Sequence, residues 1–136
     1  MGGPRVFTVA QANEQIHDLE RIFVTVDEIR KRIQTTKIRL NALEMIWGEG
    51  LQKPDCPDHK EFEHYVREMK AQEEAFNAEV AKIAALGGMV KGMEPGLVDF
   101  YGVRDGVLVL LCWRRCEKKI GHYHDLESGF AGRQPL

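Results

Sequence analysis

The residue types able to do chemistry crowd into the last third of the chain: Cys112 beside Trp113, then Glu117, then His122-Tyr123-His124-Asp125, then Gly129-Phe130-Ala131-Gly132-Arg133. On a strand, side chains two apart project from one face. His122 and His124 are therefore spaced to share a divalent metal cofactor, with Asp125, Glu117 or Cys112 as further ligands. Without a metal, Glu117 and His124 form a candidate acid–base pair with Asp99 as orienter. The glycine-spaced tail ends in Arg133, so backbone amides and a guanidinium can cradle an anion; the candidate ligand-binding residues are Asp99 and Arg133. Each feature also has a purely structural counterpart. His122 suits a solvated edge and His124 a hydrogen-bonded structural histidine; Asp99 and Glu117 can pair with Arg133 or Arg114, and the glycines can simply let Phe130 tuck under a sheet.

Other chemistries lack their residues. Gly87-Gly88-Met89-Val90-Lys91-Gly92 has neither the spacing nor the trailing Ser or Thr of a phosphate loop, and no G-x-S-x-G elbow occurs. His59 and His64 stand five apart, which denies them a shared helical face. Cys56, Cys112 and Cys116 are an odd number without a C-x-x-C pair, which argues against a disulfide scaffold or a zinc ribbon and suits reduced thiols acting as small apolar residues.

The elements that must carry these residues follow from periodicity. Thr8 and Gln11 form a capping box, with Phe7 outside as a staple. Apolar residues then recur at Leu19, Ile22, Val26, Ile29, Ile33, Leu40, Leu43 and Trp47, in steps of three and four interrupted only at Thr36, the seam of a coiled coil. With no Gly or Pro from Thr8 to Trp47, one helix of about 40 residues and about 60 Å is predicted over 8–47. Gly48, Gly50, Pro54 and Pro57 break it. Asp58 and Glu61 form a second capping box, and a second helix over 58–86 carries Phe62, Tyr65, Met69, Phe76, Val80 and Ile83 before stopping at Gly87-Gly88. The short connection folds the pair into an antiparallel hairpin.

Beyond Gly88 the period becomes that of strands. Leu97–Tyr101 and Val107–Trp113 flank Arg104-Asp105-Gly106, a hairpin turn, and a third strand lies near Ile120–His124. The expected architecture is α+β: a coiled-coil-like helical hairpin plus a three-stranded antiparallel meander over 97–124, closed by an ordered tail over 125–136, in one domain. The middle strand is apolar on both faces, with Val107, Val109, Leu111 and Trp113 on one and Leu108, Leu110 and Cys112 on the other. One helical layer covers one face, so a symmetry mate is expected on the other.

Taken together, Phe7-Thr8 opening a helix with Ala12-Asn13, Gly96-Leu97-Val98-Asp99-Phe100, Asp105-Gly106, Leu111-Cys112-Trp113-Arg114, Glu117, His124-Asp125-Leu126 and Gly129-Phe130-Ala131-Gly132-Arg133 resemble the prokaryotic domain-of-unknown-function family numbered 2203. The resemblance spans nearly the whole chain. It implies a single domain and a prokaryotic cytoplasmic origin, and it brings no activity with it. That pattern has Gly where Cys116 stands and Trp where Tyr123 stands, so neither a metal site on Cys116 nor a role for an indole there would be a family property.

Composition narrows the partners. The net charge is −2 with five histidines neutral, and the sequence pI is about 6.2, which gives no global pull toward nucleic acid or an anionic membrane. Arg30-Lys31-Arg32 and Arg114-Arg115 are basic, yet helix 8–47 balances six basic with six acidic residues and helix 58–86 sets four against seven; these are salt-bridged solvated faces. The longest apolar run, Val107–Trp113, is too short to span a bilayer. Met1-Gly2 lacks the Ser or Thr at position 6 of a myristoylation signal. A cytoplasmic homo-oligomer is expected, a dimer first. It would act as a non-catalytic interaction or scaffold protein whose helices take a partner chain. The alternative is a small metal-dependent or acid–base enzyme, hydrolase-like, using Glu117, His124, Asp125 and Arg133.

Overall fold

A computed structural model describes residues 5–136; Met1-Gly2, which lacks the rest of a myristoylation signal, lies outside them. The order of elements is α1 (Val9–Asn13), α2 (Ile16–Trp47), a 3-10 turn (Gly48–Gln52), α3 (His59–Ala85), β1 (Met89–Met93), β2 (Gly96–Arg104), β3 (Val107–Arg114), β4 (His122–His124), a 3-10 turn (Phe130–Gly132) and β5 (Gln134–Pro135). The fold is α+β, and the sheet has five antiparallel strands in sequence order rather than three. Two strands escaped the periodicity. β1 carries Gly92 and a register shift between Val90 and Gly92, and β5 has only two residues, too few to show a period of two.

The first helix also differs from the expected continuous rod. The Thr8 box forms, with Thr8 N–H donating to Gln11 and Gln11 N–H to Thr8 Oγ1. The helix then breaks at Glu14–Gln15, where Gln15 N–H donates to Ala12 O, a tighter turn than an α-helix makes. Asn13, beside the break, accepts from the Ile120 amide at 2.7 Å. A helix-terminating residue thus serves tertiary hydrogen bonding.

The chain divides into two compact units, residues 24–80 and residues 5–23 with 81–136. In the first, Trp47 Nε1–H donates to Asp58 Oδ2 at 2.8 Å, His59 Nδ1–H donates to the carbonyl of buried Leu51, and Arg39 stacks on and hydrogen-bonds Tyr65. The Asp58 carboxylate thus meets the indole through Oδ2, and Glu61 accepts from the Tyr65 hydroxyl. Val26, Ile29 and Leu43 are buried as the seam requires, and Thr36, which interrupts it, is buried too. Ile33 and Leu40 are half-buried, and Trp47 is exposed.

In the second unit, one face of the sheet packs on helix. Phe7 meets Phe100 edge-on, with ring centroids 4.9 Å apart, and Phe23 lies 5.9 Å from Trp113. Gly88 comes so close to Val98, Ile83 and Phe100 that no Cβ fits. Asp105 and Gly106 both have positive φ, as the tight β2–β3 turn demands. No helix among the described residues is long and apolar enough to cross a membrane.

Candidate functional site

Strand register decides what faces away from that helical layer. Asp99 on β2 pairs with Cys112 on β3, which pairs with His122 on β4. Leu110 pairs with His124. Period two then puts Asp99, Leu110, Cys112, His122 and His124 on the outer face, while Val98, Phe100, Leu111 and Trp113 fill the core on the other. The outer face is covered from within the chain. Leu126, Glu127, Ser128, Gly129 and Phe130 of the tail close over Leu97, Asp99, Leu110, Cys112 and His124 to bound a cavity of about 440 Å³, with Lys91 of β1 at its edge. The expected symmetry mate is not what buries Leu110 and Cys112: the twelve-residue tail turns back across them because β5 pairs with β4.

Asp99, Cys112 and His124 are all at least 97% buried, and one ligand atom of each lies within 4.8 Å of the others. His124 is gripped at both nitrogens. Nδ1–H donates to the Asp125 carbonyl at 2.8 Å, and Nε2 lies 3.0 Å from Asp99 Oδ2. A proton must therefore lie between Nε2 and the carboxyl, carried by one or the other. Burial raises the Asp99 carboxyl above the usual range, opposed by the charges of His124 and Lys91. Burial and the Asp99 charge push the Cys112 thiol up to about 11, although Arg133 pulls the other way. Cys112 is thus a protonated thiol at neutral pH rather than a ready nucleophile, and His124, bonded to two oxygens, is not its base.

The remaining candidates lie elsewhere. Glu117 and Arg133 form a two-pronged ion pair, Nη2 to Oε2 at 2.7 Å and Nη1 to Oε1 at 3.2 Å. Glu117 also accepts from the Arg114 amide. Burial would raise Glu117, but the Arg133 hydrogen bonds, the Arg114 amide and the Arg133 charge outweigh it and hold the carboxyl below its ordinary value. Glu117 and His124 therefore do not form an acid–base pair, and Arg133 pairs with Glu117, not Asp99. With its guanidinium occupied and stacked over Phe130, Arg133 is not presented to an anion. Asp125 is exposed, and its carboxylate caps the amides of Glu127 and Ser128; only its carbonyl reaches the site. Among the described residues, the metal-competent cluster is Asp99–Cys112–His124, not His122–His124–Asp125. His122 shares the face, but its Nδ1 is buried without a protein partner. The signal for Asp99 and Cys112 was present in the sequence as strand parity, once β2 and β3 pair about Asp105-Gly106.

A groove of similar volume in the helical unit, lined by Ile29, Arg32, His64, Arg67, Glu68, Ala71, Gln72 and Ala75, contains no comparable buried cluster. Against known proteins, the family described as Uncharacterized conserved protein (DUF2203) matches residues 5–136. No curated protein and no solved structure matches the chain.

Proposed function

We propose, for a chain that belongs to the DUF2203 family of uncharacterized conserved proteins, that the cavity under the C-terminal tail is the site of a small hydrolase-type enzyme. The single observation that carries this is the convergence of Asp99, Cys112 and His124, each buried, on one wall of that cavity. Buried polar groups are costly unless paired or used. Here three of them stand where Leu97, Leu110, Leu126 and Phe130 supply apolar walls, the combination typical of small-molecule sites. The apolar walls suit a compact, largely apolar substrate, with Lys91 at the rim for a negative group. Three free thiols, one at the site, suit a reducing compartment such as the cytoplasm.

The test is hydrolysis of p-nitrophenyl acetate and of p-nitrophenyl phosphate mono- and diesters, with and without added divalent ions. Activity that falls by at least about 100-fold in His124→Gln and Asp99→Asn, falls in the cavity-filling Leu126→Trp, and persists in His64→Gln is expected. Activity indifferent to Leu126→Trp and His124→Gln rules the site out.

One observation favours a second role, self-association. On α2, Ile38, Met45 and Ile46 are 58%, 87% and 68% exposed and lie with Ala42 on one flank, a stripe that suits another helix, most simply that of a second copy. Light scattering of wild type and Ile46→Glu at micromolar concentration tests it. A wild-type monomer rejects the proposal; a dimer that the variant dissociates supports it.

A further inference from the structure

We infer that Asp99, Cys112 and His124 bind a first-row divalent metal ion, zinc by preference, through Asp99 Oδ, Cys112 Sγ and His124 Nε2, with a fourth position open to the cavity. The inference rests on the cavity being the functional site, and it selects a metal over free acid–base chemistry there.

Geometry carries it. Zinc bonds of about 2.0–2.3 Å in a tetrahedron place ligand atoms about 3.3–3.8 Å apart. The three candidate atoms already lie within 4.8 Å of one another, with Nε2 and Oδ2 at 3.0 Å. Side-chain rotations of under about 1 Å close a shell around an ion. They sit on three adjacent strands, β2, β3 and β4, so backbone hydrogen bonding fixes their spacing.

The orientation of His124 agrees. Its Nδ1–H is committed to the Asp125 carbonyl, so Nε2 is the nitrogen that can face a metal, the second-sphere arrangement metal-binding histidines use; as the ion binds it displaces to solvent the proton held between Nε2 and Asp99 and the Cys112 thiol proton. That hydrogen bond comes from the turn built by the Asp125 carboxylate on the Glu127 and Ser128 amides. The donor set of one sulfur, one imidazole and one carboxylate is borderline-soft, which selects zinc or cobalt over magnesium or calcium. Three protein ligands rather than four, beside a cavity, are the pattern of catalytic rather than structural sites. Asp99 is met by His124 at 3.0 Å and by the charge of Lys91, whereas the guanidinium beside the Cys112 thiol, Arg133 at 3.9 Å, is already spent on Glu117.

The test uses the whole chain, stripped with chelator and titrated with Co²⁺ and then Zn²⁺. Wild type is expected to take one ion. Its cobalt form should show a near-ultraviolet thiolate-to-metal band and intense tetrahedral visible bands, both displaced by Zn²⁺. Cys112→Ser should lose the thiolate band, and His124→Gln and Asp99→Asn should each weaken Zn²⁺ binding by at least about 100-fold, while Cys56→Ser and Cys116→Ser leave the spectrum unchanged. Because buried substitutions can unfold the chain, X-ray absorption on wild-type protein with zinc bound supplies an independent reading: one sulfur at about 2.3 Å and nitrogen or oxygen neighbours at about 2.0 Å. No stoichiometric binding, a shell without sulfur, or a thiolate band that survives Cys112→Ser overturns the inference. Metal-free hydrolysis that still depends on His124 would defeat the metal while sparing the cavity. Tight zinc binding with no turnover and no effect of Leu126→Trp would do the reverse.

Discussion

Arg133 and Glu117 clasp each other through two hydrogen bonds, at 2.7 and 3.2 Å, and so fasten the C-terminal tail to the turn that follows β3. Both ends of the clasp are mostly shielded, at 15% and 23% side-chain exposure. Trp113 Nε1–H donates to the Glu117 carbonyl, so the same turn is also tied to the core. The tail can roof the cavity because this clasp and the two-residue strand β5 hold its end.

Removing one partner of the clasp should loosen the tail. Arg133→Ala and Glu117→Gln are each expected to cost about 1–3 kcal/mol. A double-mutant cycle should show a coupling of about 1 kcal/mol that shrinks in high salt. Thermal melts of the three variants measure this; additive effects would mean the pair is ornamental.

The same pair sets an acid limb. Glu117 has a folded value below its ordinary 4.5, so its contribution is fully present above about pH 4.5, near the unfolded value, and is lost as pH falls through the lower folded value. Melting temperature should therefore drop below about pH 4.5, and Glu117→Gln should flatten that drop. A variant with an unchanged acid limb would place the effect on other carboxyls.

Cys116 has φ of +83°, in the left-handed region where a side chain is strained. Cys116→Gly relieves the strain at the cost of some unfolded-state entropy and should stabilise the protein by about 1 kcal/mol. The resemblance implied Gly at this position on other grounds. Loss of stability on denaturant unfolding would show that the thiol makes a compensating contact.

Along α2, burial is graded. Ile29 is 6% exposed, whereas Ile33 is half-buried. Ile29→Ala should cost about 2–4 kcal/mol and Ile33→Ala less. Lys31→Ala, fully on the surface, should stay within about 0.5 kcal/mol of wild type. Equal costs at Ile29 and Ile33 would indicate that a partner chain covers the second.

Gly96 lies against the Phe23 ring, where a Cβ would come within 2.8 Å of Cε1. Gly96→Ala should therefore cost about 1–3 kcal/mol by overpacking. A neutral result in chemical denaturation would mean the Phe23 ring moves aside freely.

Local information sufficed for much of this protein. The Thr8–Gln11 box, the stop at Gly87-Gly88, the Asp105-Gly106 turn and the parity that opposes Trp113 to Cys112 all depend on residues a few positions apart, and each is legible in the sequence. Helix 58–86 falls within one residue of the observed His59–Ala85. Tertiary structure alone decided the break at Glu14–Gln15, because the Asn13 side chain, through Oδ1, meets the Ile120 amide from 107 positions away. It likewise recruited Met89–Met93 and Gln134–Pro135 to the sheet, since a bulged strand and a two-residue strand form only beside neighbours that supply their hydrogen bonds. The site shows the same division. The sequence marked His124, Cys112, Glu117 and Arg133 as the residues worth watching. Which of them share a proton, an ion pair or a cavity wall was set by strand register and by the tail folding back, and no spacing along the chain encodes those distances.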